Sequence, residues 1–564
     1  MPAKNLIKLG KAYRHLKRYR QIIGVMIKYG FGDILERLRI EAYLRIRPRA
    51  FSKPKGKELI KAREATRVRM ALEELGPTFV KLGQVLSLRP DLIPWNFVKE
   101  FRKLQDEVSP LAYGEVARLI EEELGDQPRV LFNQFDPKPL ASASLSQVHP
   151  GVTLDGEEVV IKVQRPQIRE IVEVDVEILH DLAELAAQQL AEFSPYDPVG
   201  IVEEFSASIR RELDFVREGR NIERFAHNFQ DDPTVYVPRV FWGLTTSKVL
   251  TMERIRGIKV SRMKELREAG LDPQRIAING AQAILKQIFE HGFFHADPHP
   301  GNIFVLRGNV IAPLDYGMMG RLDQEMRGAL GALLAALVNQ DVKRTTKILL
   351  RMGVAEEEID RRGFEREVDD LLNSYMGTPL SQLDIKDIFT DVFPLLSKYH
   401  LRVPSDFALM GRALVTAEGV GRELDPDFDI LPLAKPYLKK LMFKRIGLRR
   451  WLRALQDFWE DLNDLFTHLP GDIEQILAKT KRGELVVKFE HRGLEHLILT
   501  LDKSSNRLSF SLIIAALIIG SSLVMQLNKG PQLFGFPIFG ILGFLIAGLF
   551  GLWLVVAILR SGRM

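Results

Sequence analysis

Residues 291–320, HGFFHADPHPGNIFVLRGNVIAPLDYGMMG, constrain this 564-residue chain more tightly than any other stretch. In fixed order they present Asp297 behind His295-Ala296, then Asn302, then Asp315 at the head of Asp315-Tyr316-Gly317. Between the last two, IFVL, the turn Arg307-Gly308-Asn309 and VIAPL read as a β-hairpin. Taken singly, an Asp or Asn here is an ordinary turn former. As a series they suit phosphoryl transfer, which is mostly positioning and charge neutralisation. One carboxylate orients the attacking oxygen, while an amide and a second carboxylate hold Mg²⁺ on the phosphates. His295, Asp297 and His299 could instead form a two-His-one-carboxylate metal set for oxygenase chemistry, but the Asp-Tyr-Gly hairpin then has no role.

The same order resembles the catalytic and metal-binding loops of protein kinases, with His295-Ala296-Asp297 for His-Arg-Asp and Asp315-Tyr316-Gly317 for Asp-Phe-Gly. Other parts stand upstream. Residues 157–164, EEVVIKVQ, alternate as a strand and carry Lys162 where kinases have Val-Ala-Ile-Lys, so its ammonium is expected on the α- and β-phosphates. Residues 209–215 follow a helical pattern, and Glu212 is the expected ion partner of Lys162. Residues 248–253 read as the strand entering a hinge, where the backbone at Met252 and Glu253 would meet adenine. No G-x-G-x-x-G precedes the Lys strand. In its place Leu140, Ala141, Ser142, Ala143, Ser144, Leu145, Ser146, Gln147 and Val148 are expected to cover the phosphates. Small side chains let backbone N–H groups approach, but alanine takes positive φ less readily than glycine, so this loop should be stiffer.

Four further features carry a family resemblance. Lys81-Leu82-Gly83-Gln84 matches a K-x-G-Q motif and Leu104-Gln105-Asp106 an L-Q-D element. Residues 139–149 match an alanine-rich loop, diluted by Ser142 and Ser146, and Glu212-Leu213-Asp214 matches E-x-D, followed by Glu218 and Asn221. On these residues the chain resembles the UbiB/ABC1/ADCK/COQ8 family of atypical kinases over residues 60–430. The resemblance implies an α+β, bilobal protein-kinase-like fold with a helical N-terminal extension. The K-x-G-Q helix would lie over the site where a kinase takes a peptide, with Lys81 and Gln84 regulating it. It implies ATP and Mg²⁺ as cofactors, and ATPase or unorthodox kinase activity supporting isoprenoid quinone biosynthesis, notably of ubiquinone. ATP, a membrane lipid or quinone precursor, other quinone-biosynthesis enzymes and a second copy of the chain are the candidate partners. A non-catalytic scaffold presenting lipid intermediates is the alternative, against which Lys162, Asp297, Asn302 and Asp315 all stand intact. After Asp315, Met318-Met319-Gly320-Arg321 runs into helical pattern with no Ala-Pro-Glu segment, so a peptide-docking platform has no visible basis.

Charge and hydropathy divide the rest. The chain has no Cys, which excludes disulfides, thiolate catalysis and Cys-ligated zinc. A net charge of +6 suggests anionic partners, yet no nucleic-acid module is recognisable. Residues 1–32 hold no Asp or Glu and read as a basic amphipathic region suited to an anionic membrane surface. At the other end, residues 508–527 and 533–559 are uncharged runs, each long enough to cross a bilayer as a helix. The short connector 528–532 makes them an antiparallel transmembrane hairpin, with Gly540, Gly543, Ala547 and Gly551 as small-residue faces. Lys503, Arg507, Arg560 and Arg563 at the open ends place the kinase-like domain on the cytoplasmic face of the inner membrane. The expected order is a basic N-terminal region 1–58, a K-x-G-Q extension 59–130, an N-lobe 131–255, a C-lobe 256–430, a helical connector 431–502 and the hairpin.

Overall fold

The structure, a computed structural model, describes residues 2–38, 63–87, 89, 92–104, 108–189, 197–339, 341–355, 359–374, 385–399, 401–444, 494–527, 531–533 and 536–560. The linker at 47–57, Gln105, Asp106, residues 445–493, the turn at 528–530 and Arg563 lie outside the described residues. Two compact units are present, residues 1–451 and 452–564.

In the first unit a five-stranded antiparallel sheet comprises β1 (Phe132–Phe135), β2 (Ala141–Ser142), β3 (Ser146–Thr153), β4 (Glu158–Gln164) and β5 (Val249–Glu253), in the order β1-β3-β4-β5 with β2 also on β3. The alternation in β4 has a direct physical outcome. Val159, Ile161 and Val163 are wholly buried on one face, packed with Val116 and Ile120 of a helix at Tyr113–Leu124. A period of two therefore turns Lys162 to the opposite face, in register between Val148 and Leu250.

Three helices follow, α1 (Ile168–Gln189), α2 (Pro198–Glu212) and α3 (Phe215–Asn228), and α3 packs its Phe215, Ile222 and Phe225 on that opposite face at Val160, Leu250 and Met252. The helical pattern breaks at Leu213-Asp214 and restarts at Phe215, so Glu212 ends one helix and Glu218 belongs to the next. On α3 the stripe Phe215, Glu218, Ile222 and Phe225 is buried.

The helical part downstream is built on α4 (Pro273–Lys286) and α5 (Ser405–Leu424), whose Ile276, Ile284, Leu285, Met410 and Leu414 share one core with Phe294. Asp272 caps α4 by accepting from the Gln274 and Arg275 N–H groups, with Pro273 in the first position. The predicted hairpin is present as β6 (Ile303–Leu306) and β7 (Val310–Pro313), with Gly308 and Asn309 both at positive φ in the turn. Residues 431–444, the start of the expected helical connector, form a helix whose Ala434 and Tyr437 pack on the core of α4 and α5.

The N-terminal segments form their own layer. A helix at Pro2–Lys28 packs Tyr19, Ile22 and Val25 against Ala71, Leu72, Leu75, Phe79 and Ile178. Arg18 grips Asp175 of α1 with two hydrogen bonds of 2.6 and 2.9 Å and donates to the Leu75 carbonyl. The apolar face of this helix from residue 15 onward is thus spent on the protein itself and not on a membrane surface. Lys17, Arg20 and Lys28 remain exposed.

In the second unit two helices, Leu494–Leu527 and Ile538–Arg560, contain stretches long and apolar enough to cross a bilayer, Leu508–Gln526 and Ile538–Val555. The second begins later than residue 533, because Gln532–Leu533 pairs with Phe536–Pro537 as a short hairpin. Added side chains at Gly540 and Gly543 would strike Met525 and Ser521, and Ala547 is buried, so these small residues form the contact. Gly551 faces open space. Leu512, Ile519, Leu523, Leu545, Leu549 and Leu552 are exposed.

Candidate active site

Strand β4 delivers Lys162 into a pocket of carboxylates. Its ammonium donates to both oxygens of Glu218, 2.8 Å each, and lies over the Phe215 ring. Burial opposes the charge, but Glu218, Asp315 and Glu212 outweigh it and hold Lys162 well above its ordinary range. The expected pairing with Glu212 is therefore corrected. Glu212 sits at the end of α2 and binds Lys81 at 2.7 Å. Six residues further on, past the break between helices, Glu218 occupies the buried stripe of α3 and faces β4. A buried carboxylate must be paired to be tolerated, and the strand lysine is its partner.

The K-x-G-Q helix, Pro77–Leu86, is held close by its glycine. A Cβ at Gly83 would overlap Leu104 and come within 2.8 Å of Leu72. Gln84 donates to the Leu104 carbonyl at 3.3 Å, so its amide braces the extension, while Lys81 reaches Glu212 and adds positive potential at Asp315.

Asp315 accepts from the Gly317 N–H at 3.0 Å. Burial works against its ionisation, but Lys162, that N–H, His295 and Lys81 prevail and hold it below the usual carboxylate value. Asn221 of α3 donates to the Tyr316 carbonyl, and the Tyr316 ring is fully buried edge-on to Phe225. The backbone of Asn302 accepts from Leu314, the residue before Asp315, which ties the two ligand candidates together.

Asp297 follows a short strand, Phe293–His295, paired with Met319–Arg321. Its carboxylate accepts from Arg412 of α5 at 2.9 Å. The His295 ring is buried and neutral, with burial pressing its basicity down. It accepts from the Asp297 N–H and is hydrogen-bonded to the Asp315 backbone. His299 accepts from the Gly301 N–H. Both imidazoles are thus engaged by the backbone, and among the described residues no group of three His, Asp or Glu side chains is placed to hold a metal. That geometry disfavours the two-His-one-carboxylate reading.

The loop at 140–148 is a β2–β3 hairpin in which Ala143 donates to the Ser146 carbonyl. No residue in it has positive φ, so alanine and serine fit where a glycine-rich loop would need glycine. Leu140 and Ala141 face outward, whereas Ser144, Leu145, Ser146 and Gln147 are buried. The last four do not present their side chains to a ligand. Leu145, for example, packs on Val172, Phe205 and Ile209. At the hinge, Met252 is buried, and Glu253 donates its N–H to the Arg239 carbonyl while its carboxylate accepts from the Tyr236 hydroxyl. Neither side chain is offered to a ligand, and the main chain is engaged as well: Met252 is paired with Val160 and Val240, and the Glu253 N–H is spent on Arg239.

Sequence reasoning missed Arg412 and the true role of Glu218. A lone carboxylate in the apolar stripe of α3 was the available signal for Glu218. Arg412 carried none, because its partner lies 115 residues away.

The chain matches the ABC1 atypical kinase-like domain over residues 103–349, the UbiB helical domain over 368–429 and the ABC1/UbiB kinase-like C-terminal domain over 492–560. It is 31% identical over 551 residues to the "Uncharacterized protein in hydrogenase 1 5'region" of Clostridium pasteurianum, spanning 97% of this chain and 99% of that one. It is 33% identical over 480 residues to the "Probable protein kinase UbiB" of Cellvibrio japonicus, spanning 84% and 86%. The structure of the Rv3197–erythromycin complex from Mycobacterium tuberculosis aligns at 26% identity with a TM-score of 0.43, over 64% of this chain and 96% of that one. Sheet, ion pair and loop order define a kinase-like domain of an atypical kind. The chain belongs to the ABC1/UbiB family of atypical kinase-like proteins.

Proposed function

We propose that this chain is a membrane-anchored atypical kinase or ATPase, dependent on ATP and Mg²⁺, that supports isoprenoid quinone production of the ubiquinone type. The observation that carries this reading is the buried Lys162–Glu218 pair beside an ionised Asp315. Lys162 would hold the α- and β-phosphates. The hard oxygen donors of Asn302 and Asp315 suit Mg²⁺, which would neutralise charge on the transferred phosphoryl group. Asp297 would orient the attacking oxygen. The family resemblance implies that the K-x-G-Q extension, which Lys81 ties to Glu212, lies over the acceptor side, and this favours a small or lipid acceptor over a peptide.

The two apolar helices support anchoring by a transmembrane hairpin. Basic residues at its open ends support placing the bilobal kinase-like part on the cytoplasmic face. One observation favours a second reading: Arg412 already engages Asp297, as a slow ATPase with a conformational output would require. A quinone-lipid profile of cells lacking the protein tests the proposal. Wild type should restore the quinone pool and Asp315→Asn should not; restoration by both would overturn the catalytic reading.

A further inference from the structure

The turn that replaces a glycine-rich loop is gripped from three sides. From the end of β4, Arg165 donates through Nε to the Ala143 carbonyl at 2.8 Å, and through one terminal nitrogen to the Ser142 hydroxyl at 2.8 Å and the Ser109 carbonyl at 3.0 Å. The Arg165 N–H also donates to the Leu145 carbonyl. From within, Gln147 and His149 are both wholly buried. Gln147 accepts from the Leu111 N–H at 2.8 Å and the Ser142 hydroxyl at 3.4 Å. Its amide nitrogen lies 2.9 Å from His149 Nε2, and His149 Nδ1 lies 2.9 Å from the Asp136 carbonyl. A carbonyl can only accept, so Nδ1 carries the proton, Nε2 accepts from Gln147, and the ring is neutral. The third side is residues 108–111, where Val108 donates to the Ser142 carbonyl while Ser109 and Leu111 meet Arg165 and Gln147. These residues follow closely on Leu104, to which the K-x-G-Q helix is bound through Gln84.

We propose that Arg165 and the buried Gln147–His149 pair are positioning residues that clamp the turn at 142–147 in one shape, with residues 108–111 as the third jaw. The clamp's importance to nucleotide binding rests on the reading of this turn as the nucleotide loop. Buried polar networks rigidify when every member is satisfied, and a single missing partner leaves a costly orphan. A glycine-rich loop must be ordered by its ligand, whereas this one is ordered beforehand by an arginine fork, a glutamine and a neutral histidine. Residues 108–111 meet both Arg165 and Gln147, so the third jaw bears on the other two.

The neutral ring gives the clamp a sign. Phe135 stacks on His149, Ile161 is its cross-strand neighbour, and among the described residues Asp136 is the charged group that acts on it. Burial keeps its pKa below the ordinary 6.5. The unfolded or opened state therefore binds a proton more readily, and the clamp is intact above that value and weakens as pH falls below it. Gln147→Glu should invert this dependence. A carboxylate accepts both from the Leu111 N–H and from a protonated His149, so the variant's network is complete in acid and loses its partner when the ring is neutral.

The test is amide hydrogen exchange of Leu111 and Ala143 in the full-length protein from about pH 8 to about pH 5, corrected for intrinsic rates. Wild-type protection should fall about tenfold on acidification, Gln147→Glu protection should rise, and Arg165→Lys should lose about tenfold at both ends. Protection that moves in the same direction in wild type and Gln147→Glu, or is unchanged in Arg165→Lys, overturns the clamp. Calorimetry with Mg-ATP separates the two layers. About tenfold weaker binding by Arg165→Lys supports the positioning role. A wild type that binds no Mg-ATP yet shows the expected exchange contradicts the proposed function while upholding the clamp.

Discussion

Lys162 is bound by both oxygens of Glu218, while Glu212, the acidic residue six positions earlier, is bound by Lys81. Two lysines from separate elements thus divide two carboxylates that one sequence motif places side by side. Glu218 secures the strand lysine, and Glu212 secures the extension.

Removing the two carboxylates should have unequal costs. Glu218→Gln leaves a buried ammonium without its counter-charge and should destabilise the protein by about 3 kcal/mol or more. Glu212→Gln breaks a partly exposed pair and should cost below about 1 kcal/mol. Thermal denaturation of the two variants checks this, and equal losses would contradict the assignment of Glu218 as the buried partner.

Much of this arrangement was legible in the sequence. The 291–320 series gives the hairpin and the order of Asp297, Asn302 and Asp315, because turn chemistry and strand alternation are local. The strand of Lys162 is legible for the same reason. The partner of Lys162 was not, since choosing between Glu212 and Glu218 depends on where one helix stops at Leu213 and the next begins. The inward packing of Ser144–Gln147 was hidden too, because Leu145 is buried by α1 and α2, elements that no local pattern connects to the loop. The inward packing of the N-terminal helix from residue 15 onward was not legible either, because a charged amphipathic helix looks alike whether its apolar face meets lipid or protein.

Asp297 should act on turnover and not on binding. Asp297→Asn is expected to keep Mg-ATP affinity within about twofold of wild type and to lower ATP hydrolysis by about a hundredfold or more. Arg412→Ala, which frees the same carboxylate from its ion pair, should change hydrolysis by about tenfold with affinity again preserved. A parallel loss of affinity in either variant would place Asp297 in nucleotide binding instead.

The turn at 142–147 is formed without positive φ, so glycine there adds freedom that the folded loop does not need. Ala143→Gly should loosen the loop and alter nucleotide affinity, turnover or self-phosphorylation. A variant matching wild type in both nucleotide affinity and turnover would show that the loop is not the constraint. Unrelated peptides should remain poor acceptors for the wild-type protein.

Deleting residues 503–564 removes the two stretches long and apolar enough to span a bilayer among the described residues and should move the protein from the carbonate-resistant membrane fraction to a soluble or peripheral one. Continued resistance to carbonate would show that the anchor lies elsewhere. Because the chain has no native Cys, a cysteine at Lys503 should be shielded from an impermeant thiol reagent in intact cells, and one at Lys529 should react.

The most direct test of the central claim is calorimetric titration of Mg-ATP into wild type and Asp315→Asn. Asp315 is half-buried, ionised and neighboured by Lys162, so its neutralisation should remove the main anionic ligand proposed for Mg²⁺ while leaving the fold in place. The account predicts Mg²⁺-dependent binding to wild type and at least about a tenfold loss in the variant. Equal affinity in the two proteins would contradict it.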